Sequence, residues 1–131
     1  MITPAKIQVR FSDIDVMGHV NNAIYLSYFE MARVHYFKEI LGMNWDWETD
    51  GILLVRNEID YISPIYLHDE PFIYISIDHI GTKSFTLTYE IKVSERIVTK
   101  GKSVMVSFNN VKNCTQAIPE KMKLRLNELN S

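Results

Sequence analysis

Apolar residues recur at two different periods along this chain. Over residues 6–11, Ile7, Val9 and Phe11 alternate with polar neighbours, a period of two that predicts a short strand with those three side chains on one face. Asn21 or Asn22, either one a good helix N-cap, opens a very different stretch. There Ile24, Tyr25, Leu26, Tyr28, Phe29, Met31, Ala32, Val34, Tyr36, Phe37 and Ile40 leave little polar face. The pattern predicts a helix to Leu41, stopped by Gly42 and roughly 30 Å long. A helix that is apolar nearly all round is a buried one, so other elements must wrap it. After a loop at 43–51 that carries Trp45 and Trp47, the period returns to two. Residues 52–62 predict a strand with Leu53, Val55, Ile59 and Tyr61 on one face, ended by Pro64. Residues 71–79, 84–93 and 97–108 predict three more, with Gly81 marking a turn. The cleanest is 84–93, where Phe85, Leu87, Tyr89, Ile91 and Val93 oppose Thr86, Thr88, Glu90 and Lys92. From Pro119 the tail predicts a short amphipathic helix holding Met122, Leu124, Leu126 and Leu129.

The order is strand, long helix, then four strands with short connections, which favour antiparallel pairing. The expected class is α+β: one long central helix wrapped by a five-stranded antiparallel sheet, with a short C-terminal helix. A chain of 131 residues suits a single domain, 1–131, large enough to bury a core. Hydrophobic residues make up 47% and charged residues 23%, ordinary for a soluble globular protein. The net charge of −2 gives no electrostatic case for nucleic acid or an anionic membrane. No apolar run approaches the ~20 residues of a membrane span. The N-terminal residues lack the apolar core of a signal peptide. The single cysteine, Cys114, excludes an internal disulfide and fits a reducing cytoplasm.

Chemistry concentrates between residues 10 and 33. The first strand leads into two acids, Asp13 and Asp15, then a polar turn with Gly18, His19, Asn21 and Asn22, then the helix. A carboxylate, an imidazole and a helix start therefore fall within eight residues. A helix start offers unpaired N–H donors and a partial positive charge, which suit a developing oxyanion. A nearby carboxylate can act as base or nucleophile. These are local parts for acyl transfer. Asp also favours turns, so the same Asp15 fits a purely structural reading.

The run Asp13-x-Asp15-x-x-Gly18-His19-Val20-Asn21-Asn22-x-x-Tyr25, with Glu30-x-Ala32-Arg33 behind it, resembles the hotdog-fold acyl-thioester hydrolases, in particular the 4-hydroxybenzoyl-CoA thioesterase-like acyl-CoA thioesterases. The His-Val-Asn-Asn segment is also similar to acyl-carrier-protein thioesterases. The resemblance implies a hotdog fold and an acyl-CoA substrate, with CoA as part of the substrate and no separate cofactor. It implies a homodimer or a homotetramer built as a dimer of dimers, joined through an edge strand, with active sites at the interface. Asp15 matches the family's essential Asp. It would attack the thioester carbonyl or activate a water. Asp13 is read as structural, accepting hydrogen bonds in the loop. His19 has three possible roles: orienting water, polarising the carbonyl, or capping the turn. The family's Asn partner to this His is Met17 here, so that grouping is incomplete. Asn22 lies where a backbone oxyanion donor is expected, Asn21 caps the helix or binds the carbonyl region, and Gly18 permits a tight turn against substrate. Tyr25 is near enough to line the acyl site, Asn57 is a polar break in its strand, and Glu30 and Arg33 can pair as a structural element. Lys83 and Ser84 are candidates for the carrier's phosphates, as are Lys100 and Lys102, although solvated surface residues account for them equally well. No second His or Cys lies at ligand spacing from His19, so no metal site is expected.

The reading is an acyl-CoA thioesterase that releases a free acid and CoA. Its rivals are an acyl-carrier-protein thioesterase and a non-catalytic hotdog domain that binds an acyl ligand.

Overall fold

The computed structural model describes residues 2–130. Its order is β1 (Ala5–Lys6), a 3₁₀ turn (Phe11–Asp13), α1 (Ile24–Leu41), β2 (Gly51–Tyr61), β3 (Phe72–Ile80), β4 (Ser84–Val93), β5 (Arg96–Asn109), β6 (Cys114–Thr115) and α2 (Glu120–Leu126), which runs into a 3₁₀ turn at Asn127–Asn130. The sheet is antiparallel in the order β1-β3-β4-β5-β2, and α1 packs across one face of it. This is the hotdog architecture. It carries a short sixth strand, β6, which pairs with the end of β5 and was not expected from the sequence.

Strict alternation makes β4 the spine of the core. Phe85, Leu87, Tyr89, Ile91 and Val93 all turn to the helix and are buried. From α1 they meet Tyr25, Tyr28, Phe29, Ala32, Tyr36, Phe37 and Ile40, spaced three and four apart along one stripe. The Phe29 ring stacks on Tyr89 with centroids 4.0 Å apart. A Cβ on Gly101 of β5 would sit 2.7 Å from that ring, so glycine is what lets the helix lie this near the sheet.

Several expectations are corrected. The first strand is only two residues long. Ile7 and Val9 are buried, but Phe11 turns into the 3₁₀ segment and is 83% exposed. The helix is not enclosed all round. Leu26, Glu30 and Val34, four apart on one ridge, remain exposed, because the sheet covers only the opposite side. In β2 the expected inward face fails at a bulge between Leu54 and Arg56. The extra residue flips the alternation there. Leu53 and Val55 point to solvent, while Asn57 and Ile59 are partly buried. In the tail, Met122, Leu126 and Leu129 pack inward as expected, but Leu124 is exposed.

Candidate active site

The loop joining the 3₁₀ turn to α1 is built almost entirely from its own polar groups. Ile14 and Val20 close it as an antiparallel bridge. Inside, the Asp15 N–H donates to the His19 carbonyl at 2.8 Å, and the Gly18 N–H donates back to the Asp15 carbonyl at 3.0 Å. Gly18 has φ +83°, a left-handed conformation that other residues rarely adopt. The Asp15 carboxylate completes the turn: its Oδ1 accepts the Met17 N–H at 2.9 Å and the His19 N–H at 3.4 Å. Among the described residues no donor reaches Oδ2. The structural reading and the chemical reading of Asp15 therefore coexist, one on each oxygen.

The loop is fastened to the fold at both ends. At its exit Val20 is buried and donates its N–H to the Ile65 carbonyl at 2.8 Å. At its entry Asp13 is 1% exposed, and its Oδ2 accepts the Tyr28 hydroxyl at 2.7 Å and the Arg10 N–H at 3.0 Å. Burial alone would raise the Asp13 pKa; the bonds from Tyr28 and Arg10, with the Arg10 charge, outweigh it and hold the carboxyl below its usual range. Burial, together with the bond to Asp13, pushes Tyr28 well above the usual phenol range. Asp13 thus has the structural place expected of it.

The helix begins later than the N-cap reading placed it. Ala23 occupies the N-cap position without a side-chain cap of its own. Asn21 caps from two residues earlier: its Oδ1 accepts the Ala23 N–H at 2.9 Å, and its carbonyl accepts the Ile24 N–H, also at 2.9 Å. Those two donors are spent. Between them and Asn21 lies the Asn22 N–H, which has no protein acceptor among the described residues.

Asp15, His19, Asn22 and Tyr25 line one open cleft of about 320 Å³, whose far wall is Tyr61, Ile62, Ser63 and Pro64. Tyr61 crosses from the end of β2 to donate its hydroxyl to the Asn22 carbonyl, and its ring stands edge-on to Tyr25 at 4.9 Å. The His19 ring lies edge-on to Tyr66 at 5.1 Å. Gly18 shapes the turn beside the cleft. Met17 also lines it and is 73% exposed.

The remaining candidates lie elsewhere. Asn57 does not reach the Asp15 loop. Its Oδ1 accepts the Ser103 hydroxyl at 2.6 Å, at the end of a buried chain in which Arg33 donates to Tyr89 Oη (2.9 Å) and Tyr89 donates to Ser103 Oγ (2.8 Å). Ser84 pairs with Val106, which pairs with Leu53, whereas Tyr61 pairs with Thr99. Lys83 and Ser84 are thus about seven residues, or roughly 23 Å, along the sheet from the cleft of their own chain. Lys100 and Lys102 line a polar depression on the outer sheet face.

Two features escaped the sequence reading. Tyr61 was assigned to a strand face, and nothing local marks its reach to Asn22, 39 residues away. An apolar groove of about 680 Å³ also runs between α1 and β2, lined by Val34, Phe37, Met43, Trp47, Ile52 and Leu54, with Arg33 beside it. Its one sequence signal was the tryptophan-bearing loop at 43–51.

The chain is similar in sequence and in fold to known proteins. Residues 9–126 match the thioesterase-like superfamily. The structure superposes on that of a predicted thioesterase from Bacillus stearothermophilus with a TM-score of 0.87, at 29% identity, covering 98% of this chain and 96% of that one. A thioesterase from Thermus thermophilus, solved with coenzyme A and Zn, gives a TM-score of 0.84 at 33% identity, covering 97% and 93%. The uncharacterized protein YsmA of Bacillus subtilis (strain 168) is 34% identical over 84 residues; that match spans 64% of this chain and 56% of YsmA. The chain belongs to the thioesterase-like superfamily, which places it in the class of thioester hydrolases. Among the described residues no helix is long and apolar enough to cross a membrane.

Proposed function

We propose that residues 1–131 act as a single cytoplasmic hotdog domain that hydrolyses acyl-CoA to a free acid and CoA. One observation carries the reading: Asp15 and Asn22, whose N–H is unspent and which lies two residues before α1, line the same cleft. A thioester carbonyl held there meets a carboxylate on one side and a helix-start donor on the other. Asp15 Oδ2 either takes a proton from an attacking water or attacks the carbonyl carbon itself, giving a mixed anhydride that water then opens. In both routes the carbonyl oxygen gains charge, and the Asn22 N–H with the positive end of α1 stabilises it. The C–S bond then breaks and the CoA thiolate leaves. His19 borders the same space and assists by orienting water. The coenzyme A in the Thermus relative supports CoA as the carrier.

The cleft is too small for a whole acyl-CoA, and a second copy of this chain supplies the rest. Leu53 and Val55 are exposed on β2, which is an edge strand. If β2 pairs with its copy about the middle of the strand, antiparallel pairing sets Tyr61 of one chain against Gly51 of the other. The apolar groove of the second chain then adjoins the Asp15 cleft of the first and takes the acyl group. Lys83 and Ser84 of that second chain reach the same region, where they can meet the carrier's phosphates. This arrangement gives use to the sequence candidates that a single chain leaves stranded.

The test is thiol release from a panel of acyl-CoAs, acetyl to palmitoyl with benzoyl and phenylacetyl, using wild type and Asp15→Asn. Turnover that falls by orders of magnitude in the variant supports the reading. Equal turnover removes Asp15 from the chemistry, and none from wild type removes acyl-CoA as substrate.

A further inference from the structure

Two residues before Asp15 lies a buried, ionised side chain that takes no part in the chemistry above. We propose that Asp13, held by Tyr28, is the positioning residue that sets Asp15 against the Asn22 N–H. This rests on the thioesterase reading of the cleft, and its tests are chosen to fail separately from it.

Asp13 bonds in two directions at once. Its carboxylate takes the Tyr28 hydroxyl, from the second turn of α1, at 2.7 Å. Its main-chain carbonyl takes the Asn21 N–H at 2.8 Å, one residue before Asn22. The same residue therefore ties the loop to the body of the helix and to the residue that presents the oxyanion donor. Its Oδ2 also accepts the Arg10 N–H at 3.0 Å, and its own N–H donates to the Arg10 carbonyl at 2.9 Å, so the approach to the loop is fixed as well.

Burial alone does not place this loop. Phe11, Val16 and Met17 are exposed at 83%, 99% and 73%, so of the apolar side chains flanking Asp13 and Asp15 only the half-buried Ile14 packs against the core. Val20 secures only the exit. At the entry the directional bonds of Asp13 add to the packing of Ile14, and the hydrogen bond between a phenol and a carboxylate is of the strong, charge-assisted kind. An Asp15 displaced by even ~1 Å relative to the oxyanion donor costs on the order of 100-fold in rate.

Tyr28→Phe should lower kcat on the best acyl-CoA by about 10- to 100-fold with KM within about twofold, because the cleft walls are untouched. Asp13→Asn can accept both bonds on its amide oxygen and should recover most of the turnover that Asp13→Ala loses. The apolar pair Asp13→Leu with Tyr28→Phe removes donor and acceptor together, a change that restores much of the stability lost by either alone. Positioning requires kcat to stay low in that pair; kcat that recovers with melting temperature would make the role merely structural and overturn the proposal. Amide hydrogen exchange supplies a readout independent of activity. In Tyr28→Phe the Met17, His19 and Asn21 amides, each hydrogen-bonded within the loop, should exchange at least tenfold faster while those of β4 are unchanged. Unchanged exchange in the loop would overturn the proposal even if turnover fell. If wild type hydrolyses no acyl-CoA, the thioesterase reading fails, and the exchange result still decides whether Asp13 sets the loop.

Discussion

Tyr61 donates its hydroxyl to the main-chain carbonyl of Asn22 at 3.0 Å, joining the last residue of β2 to the turn that precedes α1. The bond passes over the cleft and lies two main-chain bonds from the Asn22 N–H. It therefore restrains the residue whose N–H would face an oxyanion, through the peptide that follows it, from a strand that no local pattern connects to that turn. The edge-on packing of Tyr61 on Tyr25 holds the ring even without the hydroxyl.

Tyr61→Phe is accordingly expected to fold normally and lose turnover. The ring stays and the cleft keeps its wall, but Asn22 gains freedom. A drop in kcat of about 5- to 30-fold is expected, equivalent to roughly 1–2 kcal/mol of transition-state stabilisation. Steady-state thiol release on one acyl-CoA, beside a melting curve, checks it. A change in KM alone would mean that Tyr61 contacts substrate and does not hold Asn22.

The chain Arg33–Tyr89–Ser103–Asn57 joins α1, β4, β5 and β2 through the core, and Arg33, Tyr89 and Ser103 are each more than nine-tenths buried. Ser103→Ala leaves the Tyr89 hydroxyl without its acceptor and Asn57 Oδ1 without its donor. A buried polar group stranded this way costs about 1–3 kcal/mol. Denaturant unfolding should show that loss, with the slope unchanged, while turnover at low temperature stays near wild type because Ser103 lines neither the Asp15 cleft nor the apolar groove.

What the sequence made legible, and what it hid, follows from how far apart the interacting residues are. The alternation of β4 and the stripe from Tyr25 to Ile40 were readable because both are local periodicities. Asp15, His19, Asn22 and Tyr25 were readable as a site because they share eleven consecutive residues. Phe11 misled because the Arg10–Asp13 turn bends the chain just where an alternating pattern would have continued. Leu53 and Val55 misled because a single bulge reverses the faces of β2, and no composition signal marks it. Asn57 was recognised as needing partners, but its partner Ser103 is 46 residues on and was beyond reach. The same holds for Tyr61.

Acid should weaken the protein partly through Asp13. Its folded pKa is lowered, so its ionised form stabilises the fold. That stabilisation is fully present above the unfolded value of about 4 and is lost as pH falls through the lower folded value. Wild type should therefore exceed Asp13→Asn in stability at pH 7, and the gap should close as pH drops below about 4. Urea unfolding of both proteins at pH 7 and pH 3 measures it. A gap as wide at pH 3 as at pH 7 would show that charge on Asp13 is not what stabilises the loop.

The most consequential prediction concerns the edge of the sheet. In one chain the apolar groove beside Trp47 and the cleft beside Asp15 lie at opposite ends of β2, and the ridge Leu26–Val34 is bare. A lone copy would carry an unpaired strand edge and an open apolar surface, both ready sites for association. Pairing through β2 uses the strand edge, the groove and the cleft at once. Wild type should sediment as a dimer or a dimer of dimers. Leu53→Lys with Val55→Lys places two charges on that edge without touching the core, so the monomer should still fold, as circular dichroism would show. It should also lose turnover to the extent that it loses the dimer, because each Asp15 then lacks the groove of its partner. A folded monomer with full activity would refute the shared site, and it would mean that the groove serves something other than the acyl group.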